Sequence, residues 1–206
     1  MPIAISKGRF EAFSDGVFAI AITLLVLEFH PPELRGATNA AMAHALLLLW
    51  PQYFVYTASF LTIGIMWFNH YALFHYAQEI SYAALVANLT LLLFVAFLPF
   101  PTLLLGRYAL LPAAVIYYGL TLIAIALCYG VLWYVATLPH DQRGSIAGYL
   151  RTRTVWNTLG VAVYSAGTLL ALVSPIGSII LFAAMALYYM HPSSVRLALE
   201  STAAAR

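Results

Sequence analysis

Residues 111–138 read LPAAVIYYGLTLIAIALCYGVLWYVATL, an apolar stretch that contains no charged side chain. The hydrocarbon core of a bilayer is about 30 Å thick, so a membrane-spanning helix needs about 20 predominantly apolar residues. Pro112 suits the first turn of such a helix, because the N–H that proline lacks has no partner there in any case. The stretch therefore predicts a transmembrane helix.

Similar stretches fill the rest of the 206-residue chain. Hydrophobic residues make up 64% of it and charged residues 8%, whereas a soluble domain carries about 25% charge. The outer surface must then face lipid, which predicts an all-α, polytopic membrane protein with a single domain of six transmembrane helices over residues 1–206. The six segments are expected at about residues 10–29, 43–76, 81–105, 111–138, 149–173 and 176–189.

The basic residues predict the orientation of the chain in the membrane. With six spans, two of the nine basic residues, Arg35 and Arg107, fall on one side. The other seven fall on the side that holds both termini: Lys7, Arg9, Arg143, Arg151, Arg153, Arg196 and Arg206. The excess of Lys and Arg marks the cytoplasmic side, so both termini are expected in the cytoplasm.

Several functional classes find no support in the sequence. There is one cysteine, Cys128, so neither a disulfide framework nor a cysteine metal site is expected. Serine-hydrolase, zinc-protease and phosphate-loop motifs are absent from the sequence, as is a Thr-Val-Gly-Tyr-Gly potassium filter. A net charge of +2 is too small to indicate a nucleic-acid partner. We therefore expect no enzyme activity, no cofactor, no bound metal and no nucleic acid.

Polar residues within the apolar segments are the candidate functional residues, because ionisable groups are costly at membrane depth. Asp15 and His70 should both lie near the cytoplasmic ends of their helices, so we expect them to be partners. An alternative is that Ser14 and Asp15 cap a helix N-terminus, and that His70 is only a packed, hydrogen-bonded histidine. Asn88 is expected to join neighbouring helices by hydrogen bonds.

The first segment has two distinct helical faces. Ile20, Thr23, Leu24 and Leu27 follow the i, i+3, i+4, i+7 rule and share one face. Asp15 lies about 140° around the helix from Ile20. One face can thus line an axis while the other packs against a neighbouring helix. The alternative is that the apolar face simply contacts lipid or the protein core.

The same segment carries a family resemblance. Residues 9–15, RFEAFSD, match the Arg-x-x-x-Phe-Ser-Asp motif of the transmembrane-protein-175 family, which contains the lysosomal potassium channel and its bacterial relatives. Residues 19–28, AIAITLLVLE, also resemble a bacterial member, as do Trp67 to His70 and Asn88 with the Leu-Pro-x-Pro stretch at 98–101. The resemblance is most specific over the first helix and extends over the whole chain in segment count.

The resemblance implies a potassium-selective channel without a carbonyl filter, formed by a homotetramer in a bacterial plasma membrane. The first helices of four subunits would line the pore, with the constriction at Ile20, further rings at Leu24 and Leu27, and Thr23 as the candidate selectivity residue. Its partners would be potassium ions and the lipid bilayer. Glu28 could concentrate cations at the extracellular mouth.

The resemblance also implies a polar network that holds the first helix without touching the ion. Its members would be Arg9, Phe13, Ser14, Asp15, Trp67 and His70. The alternative function is a proton-coupled transporter that uses Asp15 and His70 as a relay.

Overall fold

A computed structural model describes residues 6–30, 38–76, 80–137 and 147–190, together with residues 32, 34 and 36. The regular elements in these ranges are helices, as predicted. They are α1 (Lys7–Leu24), which continues into a 3₁₀ turn (Leu25–Glu28), α2 (Asn39–Leu48), α3 (Trp50–Tyr76), α4 (Tyr82–Phe97), α5 (Pro99–Arg107), α6 (Pro112–Thr137), α7 (Ala147–Leu170) and α8 (Pro175–Met190).

Helix α1 begins about two turns before the position at which the capping alternative put its start. The hydroxyl of Ser6 accepts a hydrogen bond from the backbone N–H of Arg9 and so caps the first turn. Ser14 and Asp15 therefore lie inside the helix, where backbone N–H groups already have helical partners. The interpretation of Ser14 and Asp15 as a helix cap is wrong, and their side chains need another explanation.

The second predicted segment is two helices. Helices α2 and α3 meet at Leu49 with a bend of 48°. Pro51 explains the break, because it has no N–H for the carbonyl of Leu47 and its ring would collide with that carbonyl in a continuous helix. The N–H of Gln52 bonds to the carbonyl of Leu49 instead, at 2.9 Å. The prediction of one helix over 43–76 is therefore wrong at its start.

The third predicted segment has a milder interruption at Leu98. Pro99 begins α5 and has no N–H to offer to the carbonyl of Val95. The N–H of Leu98 bonds to that carbonyl at 3.2 Å. Residues Tyr82–Arg107 still form one continuous apolar span, so the break does not end the span.

The helices pack as a bundle in which α6 contacts α4, α5, α7 and α8, while α1 lies against α3 and α4. A chain of buried hydroxyls joins α3, α5 and α6. Thr102 donates to Ser59 at 3.0 Å, and the hydroxyls of Ser59 and Tyr118 are 3.1 Å apart. Side-chain hydrogen bonds of this kind hold membrane helices together where apolar burial offers no preference for protein over lipid.

The chain is a multi-pass membrane protein. Among the described residues, three helical stretches are long and apolar enough to cross a bilayer: Lys7–Leu27, Tyr82–Arg107 and Pro112–Ala136. The bent pair Asn39–Leu48 and Trp50–Phe74 makes a fourth span if it is counted as one. Two further apolar stretches, Thr158–Leu170 and Pro175–Tyr189, are shorter than a full span. The count of six spans stays a prediction.

Candidate functional site

The buried face of α1 packs against the rest of the bundle. Phe10, Ser14, Phe18 and Ala21 are buried, and Leu25 in the following turn continues the same face. The spacing of three or four residues keeps these side chains on one side of the helix. One serine is thus enclosed among apolar groups and needs hydrogen-bond partners.

The exposed face of α1 carries the four residues that the sequence groups together. In the single subunit Ile20 is 59%, Leu24 38% and Leu27 69% exposed, and Thr23 is also exposed. The hydroxyl of Thr23 donates to the carbonyl of Ile20 at 2.9 Å. Because the hydroxyl proton is used in this bond, the Thr23 oxygen can act towards other groups only as an acceptor. The face therefore combines an apolar stripe with one hydroxyl that can accept a hydrogen bond or contact a cation.

Asn88 of α4 links α1 to α3 in the buried layer. Its amide nitrogen donates to the hydroxyl of Ser14 at 2.9 Å, and its amide oxygen lies 2.8 Å from Nε2 of His70. The hydroxyl of Ser14 in turn donates a hydrogen bond to the carbonyl of Phe10 at 3.0 Å. His70 and Asn88 are 2% and 1% exposed. One asparagine thus satisfies two buried polar side chains on two different helices, which confirms its expected role between helices.

Asp15 has a different partner from the one predicted. Nε1 of Trp67 donates to Oδ1 of Asp15 at 2.8 Å, whereas His70, one turn further along α3, bonds to Asn88. Both Asp15 and Trp67 are partly open to the outside of the single subunit. The expected pairing of Asp15 with His70 is therefore wrong as a hydrogen bond, although Asp15 still acts on His70 electrostatically. The two residues of α3 thus have different hydrogen-bond partners: Trp67 bonds to Asp15 of α1, and His70 bonds to Asn88 of α4.

Aromatic rings enclose His70. Its ring centroid lies 4.8 Å from that of Phe74 and 5.4 Å from that of Phe18, and Phe10 stacks on it at 6.4 Å. Two of these rings come from α1, so the histidine is also a packing centre for the first helix. His70 is a packed, hydrogen-bonded histidine, as one of the two alternatives proposes.

Two members of the predicted polar network stand apart from these contacts. Arg9 is exposed, and so is Phe13 at 55%. Among the described residues, the hydrogen bonds that carry the network are those of Ser14, Asp15, Trp67 and His70 with Asn88. The side chains of Glu28, Arg151 and Arg153 lie outside the described part of the structure, as do Arg35, Arg143, Arg196 and Arg206.

Asn88 is the residue of the candidate site whose role the sequence indicated only in part. It was expected to join helices, but not to stand between Ser14 and His70. The signal was present, since an amide in an apolar run demands several partners. A search for its partners among the other buried polar residues would have suggested both.

The architecture and the site define a multi-pass membrane protein whose first helix is anchored on one face and open on the other. Residues 9–99 match the family described as endosomal/lysosomal potassium channel TMEM175. A potassium channel from Streptomyces collinus is 40% identical over 192 residues, which cover 89% of this chain and 91% of that protein. The chain belongs to the TMEM175 family, which confirms the resemblance.

Two further comparisons agree with this assignment. The crystal structure of a lysosomal potassium-selective channel TMEM175 homolog from Chamaesiphon minutus superposes with a TM-score of 0.81 at 34% identity, and the match covers 93% of this chain and 97% of that one. The endosomal/lysosomal proton channel TMEM175 of Gallus gallus is 37% identical over 111 residues, which are 51% of this chain and 22% of that protein.

Proposed function

We propose that the chain is a potassium-selective channel without a carbonyl selectivity filter, and that four copies assemble with α1 around the pore. The observation that carries the proposal is the division of α1 into a face anchored on α3 and α4 and an exposed stripe of Ile20, Leu24 and Leu27. Relatives across most of the chain are named potassium channels. The excess of basic residues on the side of the termini supports an orientation with both termini in the cytoplasm. The similarity to bacterial potassium channels along most of the chain supports the plasma membrane as its location.

The exposed stripe supports a hydrophobic constriction. Four Ile20 side chains around an axis offer a permeating ion no ligand, so a narrow ring of them controls passage by excluding or admitting water. An ion must shed part of its hydration shell to pass, and potassium sheds water more easily than sodium. The ring would therefore both gate the pore and favour potassium modestly, with Leu24 and Leu27 extending the same apolar wall.

Thr23 is the polar exception on this wall. Its hydroxyl proton is held by the carbonyl of Ile20, so four Thr23 oxygens would face the axis as hydrogen-bond acceptors. Such oxygens replace part of the water that a cation has lost at the neighbouring apolar ring. We assign the constriction of the pore to Ile20, and most of its selectivity to Thr23.

The polar contacts hold α1 in place and are proposed to leave the ion path free. Ser14, Asn88 and His70 join α1 to α4 and α3, and Asp15 joins it to Trp67. Both sets lie away from the stripe on the helix. Arg9 and Phe13 of the same motif are exposed in one subunit, and we assign them to the same support through contacts between subunits.

The transporter alternative has less support. A relay between Asp15 and His70 needs the two groups to exchange a proton, but each is bonded to a different side chain. Aromatic rings also surround His70. The two hypotheses are separated by a proton gradient, which should drive flux in a transporter and change only the reversal potential of a channel that admits protons.

The proposal is tested by recording currents from the purified protein in planar bilayers under a potassium-to-sodium gradient. We expect a reversal potential that favours potassium, and an altered conductance in Ile20→Asn because an amide ring remains wetted. Ile180→Asn is the matched control, since Ile180 on α8 is also 59% exposed. A silent bilayer from folded, assembled protein would contradict the channel, and equal effects of the two variants would contradict the constriction at Ile20.

A further inference from the structure

A cavity of about 110 Å³ lies between α3, α6, α7 and α8, away from the exposed face of α1. Its inner wall is formed by buried residues that include Thr62, Leu122 and Tyr164. Its outer wall contains the half-buried Tyr129 and Trp133. The cavity thus runs from a partly open aromatic rim to a closed floor within one subunit.

The size and the walls of the cavity limit what can occupy it. An engineered protein cavity of about 150 Å³ takes up benzene, so this space, which is open at one end, suits a single aromatic ring. None of the described residues that line it carries a formal charge, so a charged ligand would lose its hydration without compensation. Trp133, Tyr129 and Tyr164 offer ring faces and edges for aromatic contact.

The hydroxyl groups in the wall indicate the polarity of the ligand. Thr62 donates its proton to the carbonyl of Ala58 at 2.8 Å, and Tyr129 donates to the carbonyl of Met66 at 2.9 Å. A hydroxyl whose proton is used retains acceptor lone pairs. The same wall also contains the hydroxyls of Tyr164 and Tyr189 and the amide of Asn69, so it suits a ligand with a polar substituent and sets no preference for a donor over an acceptor.

Gly160 on α7 is a buried lining residue of the cavity and packs closely against Tyr189, which lines it too. The hydroxyl of Tyr189 lies 2.9 Å from the point where a Cβ of Gly160 would stand, so a larger residue at position 160 would push that ring into new space. We infer that the cavity is a binding site for a small, neutral, single-ring aromatic molecule that carries one polar substituent, such as a phenol or a benzyl alcohol.

The position of the site gives such a ligand access to the helix that anchors α1. Met66 and Asn69 line the cavity, and they alternate along α3 with Trp67 and His70, which hold α1 and α4. A ligand in the cavity therefore contacts residues of α3 that are direct neighbours of the two that hold α1 and α4.

The probe for the test is 4-bromobenzyl alcohol, added to the purified full-length protein. Bromine quenches indole fluorescence on contact, so binding beside Trp133 should give a saturable loss of emission. The saturable part should disappear in Trp133→Phe. We also expect 4-bromotoluene, which has the same shape without the hydroxyl, to bind roughly five-fold more weakly, the equivalent of one hydrogen bond.

Two substitutions of the same kind give the control. Ala126→Phe places a ring inside the cavity, whereas Ala113→Phe adds one on the exposed start of the same helix. We expect saturable quenching to be lost in the first and kept in the second. Ala126→Leu fills less space and repeats the measurement if the larger variant does not assemble. Quenching that is linear in concentration, or equal in all variants, would overturn the site, and neither result depends on ion flux.

Discussion

Nε1 of Trp67 donates a 2.8 Å hydrogen bond to Oδ1 of Asp15, and this contact joins α3 to the first helix on its partly open side. Three residues further along α3, His70 is hydrogen-bonded to Asn88 of α4, and Asn88 donates to Ser14 of α1. The two contacts differ in burial, so they should differ in how much they stabilise the fold.

Loss of the Trp67 donor should be mild. Trp67→Phe retains an aromatic ring but leaves Asp15 without this bond, and we expect a loss of about 1 kcal/mol because the site is partly exposed. The measurement is the unfolding midpoint of the purified protein in graded denaturing detergent. Trp50→Phe is the control, since Trp50 is an exposed tryptophan on the same helix. Equal shifts in the two variants would show that the bond contributes nothing.

Loss of Asn88 should be severe. Asn88→Leu preserves volume but leaves the buried Ser14 and His70 without their shared partner, at an expected cost of about 2–4 kcal/mol. The same unfolding assay applies. Thr90→Val is the matched control on α4, because Thr90 is exposed and bonds only within its own helix, to Val86, at 2.9 Å. An Asn88→Leu protein as stable as the parent would mean that Ser14 and His70 find other partners.

Gly119 is a close-packing position between α6 and its neighbours. A Cβ at this position would overlap Oγ1 of Thr168 and press on Phe182, so Gly119→Ala should cost about 1–3 kcal/mol through overpacking. Thr168→Ala in the same chain should recover part of that loss.

The control for this prediction is Gly64→Ala on α3, where the structure places nothing within 4 Å of an added Cβ. That change should be neutral or stabilising by up to about 1 kcal/mol, because alanine favours helix over glycine. Similar destabilisation at both glycines would indicate a backbone effect and contradict the packing explanation.

Thr23 tests the proposed pore. Thr23→Val keeps the shape of the side chain and removes the oxygen, and we expect the potassium-to-sodium permeability ratio to fall about five-fold, the equivalent of one weak polar contact. Bilayer reversal potentials measure it. Thr57→Val is the control, since Thr57 is an exposed threonine with the same kind of bond within its helix, to Tyr53, at 2.8 Å. An unchanged ratio in Thr23→Val would remove Thr23 from the selectivity mechanism.

The sequence predicted most of the helices because hydrophobic runs are a local property. The fourth segment, expected at 111–138, is α6 at Pro112–Thr137. The breaks at Leu49 and Leu98 were not predicted, although Pro51 and Pro99 are visible in the sequence. A proline removes one helical hydrogen bond, but packing decides whether the helix bends or ends there.

The candidate site was predicted in part. The motif at residues 9–15 singled out Ser14 and Asp15, and helical periodicity grouped Ile20 with Thr23, Leu24 and Leu27. The partners were assigned less well, because Asp15 was matched to His70 on depth alone. Depth along the membrane can be estimated from sequence, but the rotation of each helix about its axis cannot.

The sequence by itself determined that this chain enters a membrane as helices, which residues are polar at depth, and which family it belongs to. These follow from composition, local periodicity and motif. Only the tertiary structure decided that Asn88 connects Ser14 with His70 and that Trp67 bonds to Asp15. It also decided that a cavity lies between α3, α6, α7 and α8. Those pairings depend on how helices far apart in sequence rotate and approach one another, and that arrangement follows from the packing of the whole bundle.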